Sequence, residues 1–388
     1  MSKILHIGKF FPPFFGGIET FLSDLVSEQV KQGEEIRIIA HNHEFGVKNK
    51  FEWEKFPEGY QILRVPCHGL LLYSPISPLF PLWFNQAIKE FKPDILHIHM
   101  PNTSAFWSLI LLKALKIPWV IHWHSDIVLS KFDRRLILAY TLYYPFEQLM
   151  LAKTSSVIST SPPYATKSIA LKFWQKKLSV IPLGIKESRL PTATKNSLNT
   201  VNSIWGDDTF KVLTIGRLTY YKGHTILLNA LKYIDNVKLI LVGTGELKPQ
   251  LLNQVDELKL SDKIEILDNS PSYEFISALL TTCDCFCLPS IERTEAFGVV
   301  LLEASYYSKP IVSCQIEGSG VTWVIKDGNT GILVPPNDVK SLASALNYLN
   351  NNPNEAMNLG IQAKNRFNEV FNINKISKMI SRLYESIL

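Results

Sequence analysis

Arg217 and the pair Lys222-Gly223 follow directly after the apolar run KVLTI, and Glu295 and Glu303 stand eight residues apart within TEAFGVVLLEA. If KVLTI is a strand, the chain leaving its carboxyl end can aim a guanidinium and an ammonium at one anion, and a diphosphate suits that pair. Solvated surface cations are the other reading of the same spacing. Glu295 stands just ahead of a helix, and Glu303 lies one to two turns inside it. Between them AFG carries little side-chain bulk, so the amides of Phe297, Gly298 and Val299 can face an anion at the positive end of the helix dipole. A carboxylate beside a diphosphate is repelled by it; its fitting partners are sugar and ribose hydroxyls, from which it accepts in pairs. Taken alone, Glu295 reads better as a glutamate capping its own helix.

The first half offers weaker signals. Gly16-Gly17 sits between a strand end and the helix that begins at Ile18, so its amides can approach a ligand closely, although any tight turn favours glycine. His97 and His99 in DILHIHM, and His122 and His124 in VIHWHSD, alternate with apolar residues, which turns each pair to one face at the carboxyl end of a strand. Four imidazoles could ligate a metal, but no carboxylate or cysteine has matching spacing, and hydrogen bonding is the simpler expectation. Cys283, Cys285 and Cys287 alternate through CDCFC without the two-residue spacing of a zinc knuckle, and they read as buried and inert. The chain holds five cysteines, an odd count that does not make a secreted disulfide framework and points to a reducing compartment.

Elements able to position these residues recur along the chain. KILHIG, GIETFLSDLVSEQVKQG and EIRIIAH give strand, helix, strand, and the same rhythm returns from KVLTIGRL through GILVPP. With 388 residues, 46% of them hydrophobic, two domains are expected. The reading is an α/β chain of two tandem Rossmann-like domains facing across a cleft, with ligands beyond the carboxyl ends of the strands. The N-terminal domain is expected over 1–185, a polar Ser/Thr/Asn/Pro linker over 186–208, the second domain over 209–370, and a C-terminal helix over 371–388 that could pack back on the first. Lys+Arg 40 against Asp+Glu 35 leaves a net charge of only +5, too thin for the dense basic stripe of a nucleic-acid binder. The apolar stretches 105–123 and 136–152 are interrupted by lysine, proline or glutamate, short of the roughly 20 apolar residues of a spanning helix. No signal peptide is visible at the N-terminus.

Together these segments resemble the family 4 glycosyltransferases, retaining enzymes of the GT-B fold, over nearly the whole chain. The resemblance rests on PPFFGGIE (12–19), VIPLGI (180–185), GRLTYYKG (216–223), LVGTGE (241–246), EAFGVVLLEA (295–304) and DGNTGILVPPND (327–338). IHWHSDIV followed by STSPPY (159–164) is similar to enzymes that build bacterial surface polysaccharides, several of them mannosyltransferases. The resemblance implies that Arg217 and Lys222 grip the donor diphosphate, that Gly16 and Gly17 approach it from the other domain, and that Glu303 holds the ribose. It further implies that Glu295 contacts donor-sugar hydroxyls, that His124 lies near the sugar, and that His124 or Asp126 reaches the acceptor side. Glu295, His124, Lys222 and Arg217 are therefore the expected catalytic set. No Asp-x-Asp is present, so no metal and no cofactor are expected, the nucleotide diphosphate sugar being a substrate. The expected product is a glycan or lipid-linked glycan, with mannose slightly favoured over a UDP-hexose donor, in the cytoplasm or on the inner face of its membrane.

A face with Trp107, Lys113, Lys116, Lys131, Arg134, Arg135, Lys172, Trp174, Lys176 and Lys177 could rest on anionic lipid. Other readings are a nucleotide-sugar epimerase or a phosphorylase on the same plan, and a non-catalytic sugar-nucleotide binder. A nicotinamide oxidoreductase is disfavoured because no G-x-G-x-x-G follows the first strand.

Overall fold

The structure is a computed structural model, and it describes residues 2–14, 16–47, 50–127, 134–207, 209–268 and 272–388, with the main chain alone for 134–136. The chain divides into two compact units: Met1–Leu183 together with Ile373–Leu388, and Gly184–Asn372. Each is a Rossmann-like α/β layer structure, the architecture expected from the alternating pattern.

In the first unit an eight-stranded sheet runs in the spatial order Leu178–Val180, Ser156–Ser159, Trp119–Trp123, Ile95–Met100, Lys3–Ile7, Glu35–His41, Gln61–Val65 and Glu54–Lys55. All pairings are parallel except the last. The helix Gly17–Lys31 buries Phe21, Leu22, Leu25 and Val26 on one face, the i, i+4 stripe that a helix covering a sheet requires. It stops before Gly33, whose φ of +93° an L side chain rarely adopts,. The C-terminal helix Ile373–Glu385 buries Ile373, Ile376, Ser377, Ile380 and Tyr384. That stripe, not continuity of sequence, attaches it to the first unit, where Asn374 Nδ2 donates to Glu28 Oε1 at 2.7 Å and Ser377 Oγ to Gln32 Oε1 at 2.9 Å.

In the second unit six parallel strands take the order Ile264–Leu267, Val237–Val242, Phe210–Ile215, Cys285–Leu288, Ile311–Cys314 and Ile332–Val334. Cys285 and Cys287 belong to its apolar core, and burial pushes both thiols well above their ordinary range. The expected linker 186–208 is corrected here. It contains the helix Lys195–Trp205, capped by the Thr194 hydroxyl. Val201 and Trp205 are buried, and Trp205 Nε1 donates to Thr282 Oγ1 at 2.9 Å. Polar composition concealed an amphipathic helix whose apolar stripe is Leu198, Val201, Ile204 and Trp205. No helix among the described residues is long and apolar enough to cross a membrane.

Candidate functional site

The strand Phe210–Ile215 delivers the chain to Gly216, and the segment that follows turns tightly before the helix His224–Ala230 begins. Tyr220–Lys222 is a single 3-10 turn closed by Gly223 at φ +68°. A Cβ on Gly223 would lie 2.0 Å from the Pro289 carbonyl oxygen, so glycine is required by space as well as by conformation. His224 Nε2 lies 3.2 Å from the Arg217 carbonyl oxygen. Burial pushes the His224 imidazole down to about 4 against the raising effect of that carbonyl, so the ring is neutral and donates its N–H there. This pins the main chain of Arg217.

From this turn the two expected cations diverge. The Arg217 side chain is exposed, whereas Lys222 is buried. The Lys222 stem lies across Gly216, whose Cβ position is 3.4 Å from Lys222 Nζ, and Nζ reaches Glu295 Oε2 at 2.5 Å. Ser290 Oγ donates to the same oxygen at 2.9 Å, and Ser319 Oγ donates to the Glu295 carbonyl. Burial works against the Lys222 ammonium, but Glu295 and the Tyr221 ring overcome it and hold the group above the usual lysine range. Arg217 is near enough to act in the opposite direction. The spacing did not show that Lys222 and Glu295 are a directly bonded buried pair. An anion arriving at Lys222 shares the ammonium with Glu295.

The helix Val299–Tyr306 begins one residue beyond Gly298, its N-cap at φ +78°. A Cβ on Gly298 would meet Leu301 Cδ1 at 2.8 Å. Among the described residues, none of the amides of Phe297, Gly298 and Val299 donates to a turn or loop carbonyl, which leaves a first turn of donors at the positive helix end beside the Lys222–Glu295 pair. Deeper in the helix, Glu303 Oε1 lies 3.6 Å from Arg189 Nη1. Ser290, His224 and Arg189 were not singled out from the sequence. Arg189 comes from a distant segment and Ser290 stands only five residues before Glu295, and nothing in their local pattern marks them; His224 could have been suspected from its place directly after Lys222-Gly223.

In the first unit Gly16 is the N-cap of the helix Gly17–Lys31, and the position its Cβ would take is 2.2 Å from Glu19 Oε2. A carboxylate already faces this helix start, which weakens its pull on an anion. Asp126 Oδ1 accepts from Trp123 Nε1 at 2.8 Å and from Ser168 Oγ at 2.6 Å, while its amide meets Tyr164 OH at 2.5 Å. The motifs IHWHSDIV and STSPPY are therefore bonded to one another. His124 follows the strand Trp119–Trp123, and its amide donates to the Met100 carbonyl at 3.1 Å. His97, His99, His122 and His124 are all fully buried side chains that meet one another and His6 rather than main-chain carbonyls.

Of the basic and aromatic face, Lys131 and the side chains of Arg134 and Arg135 lie outside the described residues. Trp174 and Lys177 are not free for a partner: Trp174 Nε1 donates to Gln148 Oε1 at 2.8 Å. Lys177 Nζ caps the end of the helix Arg134–Lys153 through the carbonyls of Leu151, Ala152 and Thr154. Trp107, Lys113, Lys116, Lys172 and Lys176 are exposed.

Comparison with known proteins gives the family and the fold. Residues 200–366 match the family of glycosyl transferases group 1, and residues 15–189 match Glycosyltransferase Family 4. The chain is 31% identical, over its whole length and 99% of the relative, to O-antigen chain mannosyltransferase C of Escherichia coli. Sucrose-phosphate synthase from Thermosynechococcus elongatus shares the fold with a TM-score of 0.82 at 21% identity, covering 100% of this chain and 99% of that one. The HepE protein of Anabaena, solved with UDP-glucose, has a TM-score of 0.75 at 20% identity over 100% of both chains.

Proposed function

We propose, for a chain that belongs to the group 1 and family 4 glycosyltransferases and is itself a glycosyltransferase, that it moves mannose from a nucleotide diphosphate donor to a glycan or lipid-linked glycan. The reaction retains the anomeric configuration and serves the assembly of a surface polysaccharide or lipopolysaccharide. The observation that carries this reading is the buried Lys222–Glu295 pair beside the open first turn of the helix Val299–Tyr306. As the glycosidic bond breaks, charge grows on the departing diphosphate, and Lys222, Arg217 and the Phe297–Val299 amides supply fixed positive potential where a metal ion would otherwise be needed. The sugar passes through an oxocarbenium-like state. The acceptor hydroxyl attacks from the face the diphosphate leaves, and a leaving-group oxygen takes its proton.

Glu295 orients the sugar hydroxyls, and Glu303, steadied by Arg189, accepts from the ribose. His124 and Asp126 serve the sugar and acceptor side. Mannose is favoured by the likeness to the O-antigen mannosyltransferase, whereas the UDP-glucose bound by HepE keeps a UDP-hexose as the competing donor.

Thermal-shift measurements with GDP-mannose, UDP-glucose and dTDP-glucose test the donor. A nucleotide sugar at 100 times its dissociation constant stabilises by about 2.7 kcal/mol, and the largest shift is expected for GDP-mannose. Product formed only when acceptor is added, with its anomeric configuration retained by NMR, completes the test. Stabilisation by none of the three donors overturns the reading.

We also place the protein on the inner face of an anionic membrane. Leu138, Leu142, Phe146 and Leu149 are exposed at helical spacing along Arg134–Lys153, and Ile169 and Phe173 are exposed beside Lys172, the mixture of apolar and basic groups that lies in a headgroup layer. Sedimentation with acidic vesicles is expected to be strong at low salt and weaker at moderate salt; equal recovery in the supernatant under both conditions removes the membrane clause.

A further inference from the structure

Five imidazoles of the first unit form one buried cluster whose members come from three parallel strands. Register places His6 opposite His97 and His99 opposite His122, and strand alternation turns all of them, with His124, to the same side. His6 Nε2 lies 2.9 Å from Gln29 Oε1, His6 Nδ1 lies 3.1 Å from His99 Nε2, and His99 Nδ1 lies 2.9 Å from His124 Nε2. The ring centroids of the two histidine pairs are 5.4 and 5.2 Å apart, the bond length plus two ring radii, so the rings meet end to end. His122, by contrast, stacks on His124 at 4.3 Å and 3°. A chelated ion must lie in the plane of each ligand ring, so the parallel stacked rings of His122 and His124 cannot share one, whereas His6, His99 and His124 are joined by hydrogen bonds. At the other end Gln29 Nε2 donates to Tyr384 OH at 3.2 Å, and Tyr384 OH bonds His97 Nδ1.

Burial holds every ring neutral: His6 and His124 are pushed down to about 3, and His97, His99 and His122 lie well below the ordinary histidine range. Each ring therefore carries one proton, and each N···N link has a direction. The Gln29 amide has a fixed polarity, and its oxygen faces His6. His6 must then be protonated at Nε2 and bare at Nδ1; His99 donates from Nε2 and is bare at Nδ1; His124 donates from Nε2.

We propose that Gln29, held by Tyr384 of the C-terminal helix, fixes the tautomer of His124 through His6 and His99. His124 then offers Nδ1 as a hydrogen-bond acceptor for a substrate hydroxyl. Gln29, Tyr384, His6 and His99 are positioning residues, and the role of the bare nitrogen rests on the reading of His124 given above. His124 Nδ1 is buried and has no hydrogen-bond partner among the described residues, as an acceptor reserved for a ligand requires. Reversing the Gln29 amide would reverse every link, which makes that residue the point to test.

Long-range proton–nitrogen NMR on the full-length chain with nitrogen-15 histidine reads the tautomer directly. The expected result is His124 protonated at Nε2. Gln29→Glu, which toward His6 can only accept, keeps that state and keeps transfer. Gln29→Lys, which can only donate, moves the His124 proton to Nδ1 and lowers kcat/KM about tenfold, the value of one hydrogen bond of about 1.4 kcal/mol. Tyr384→Phe, which leaves the fold's apolar contacts intact, produces both tautomers and serves if Gln29→Lys does not fold. A wild-type His124 protonated at Nδ1, or a tautomer unchanged in both Gln29→Lys and Tyr384→Phe, overturns the relay. The tautomer is read without any donor, so a failure of the proposed transfer reaction leaves this result to be judged on its own.

Discussion

Removing either member of the Lys222–Glu295 pair is expected to abolish transfer and also to destabilise the second unit, while removing both restores stability but not activity. Both side chains are only 10% exposed. Leaving one buried charge uncompensated costs about 3–5 kcal/mol, whereas replacing a buried pair by neutral groups of similar shape is often close to neutral. Lys222→Met and Glu295→Gln made singly should therefore unfold at lower urea than the double variant. Ser290 and Ser319 hold Glu295 in place and cannot supply a counter-charge. Transfer should fall by about 100-fold or more in all three, the scale for losing a preorganised charge aimed at a developing anion. Urea unfolding and transfer assays on the three proteins decide the matter. Single variants as stable as wild type, or a double variant that still transfers sugar, would remove the pair from its proposed place.

Acid is expected to unfold the first unit before the second. Six of the chain's nine histidines are buried in the first unit with depressed proton affinity: His6, His41, His97, His99, His122 and His124. Only His224 is comparable in the second. An unfolded histidine takes its proton near 6.5, whereas the folded rings refuse it until about 3 or 4. Between those limits the unfolded chain binds more protons. Stability is therefore fully present above 6.5 and is lost as pH falls, at about 1.4 kcal/mol per pH unit for each such group.

Glu147 acts the other way. Burial raises its carboxyl to about 7 from an ordinary 4.5, so its contribution is present below 4.5 and is lost as pH rises through 7. Burial raises the Glu34 carboxyl in the same sense, and two carboxyls against six imidazoles leave the first unit acid-labile. Calorimetry between pH 7 and pH 5 should show its transition moving to lower temperature and separating from that of the second unit. A melting profile unchanged across this range contradicts the buried neutral histidines.

Gly33, Gly223 and Gly298 were legible in the sequence because a turn at a strand or helix end constrains the residue that occupies it, whatever the rest of the chain does. The cysteines of CDCFC were likewise read as buried, and they are, in and beside a strand buried on both faces. The segment 186–208 was misread because its polar majority outweighed Val201 and Trp205, and only the neighbouring helix Tyr273–Thr282 gives those two residues something to cover. The histidines were read as two strand-end pairs. That they join His6, and that the chain continues to Gln29 and Tyr384, depends on which strands are neighbours and in what register.

By itself the sequence determined the two α/β units, the strand ends at which chemistry could be placed, and the residue types able to grip a diphosphate, because these follow from periodicity, turn stereochemistry and charge over short stretches. Tertiary structure alone decided that Lys222 is bonded to Glu295, that Arg189 meets Glu303, that the last helix returns to the first unit, and that four imidazoles share one buried run of hydrogen bonds on which His122 stacks. Each of those joins groups far apart in the chain. Local propensity fixes the face on which a side chain emerges, but only the packing of sheets and helices fixes what it meets there.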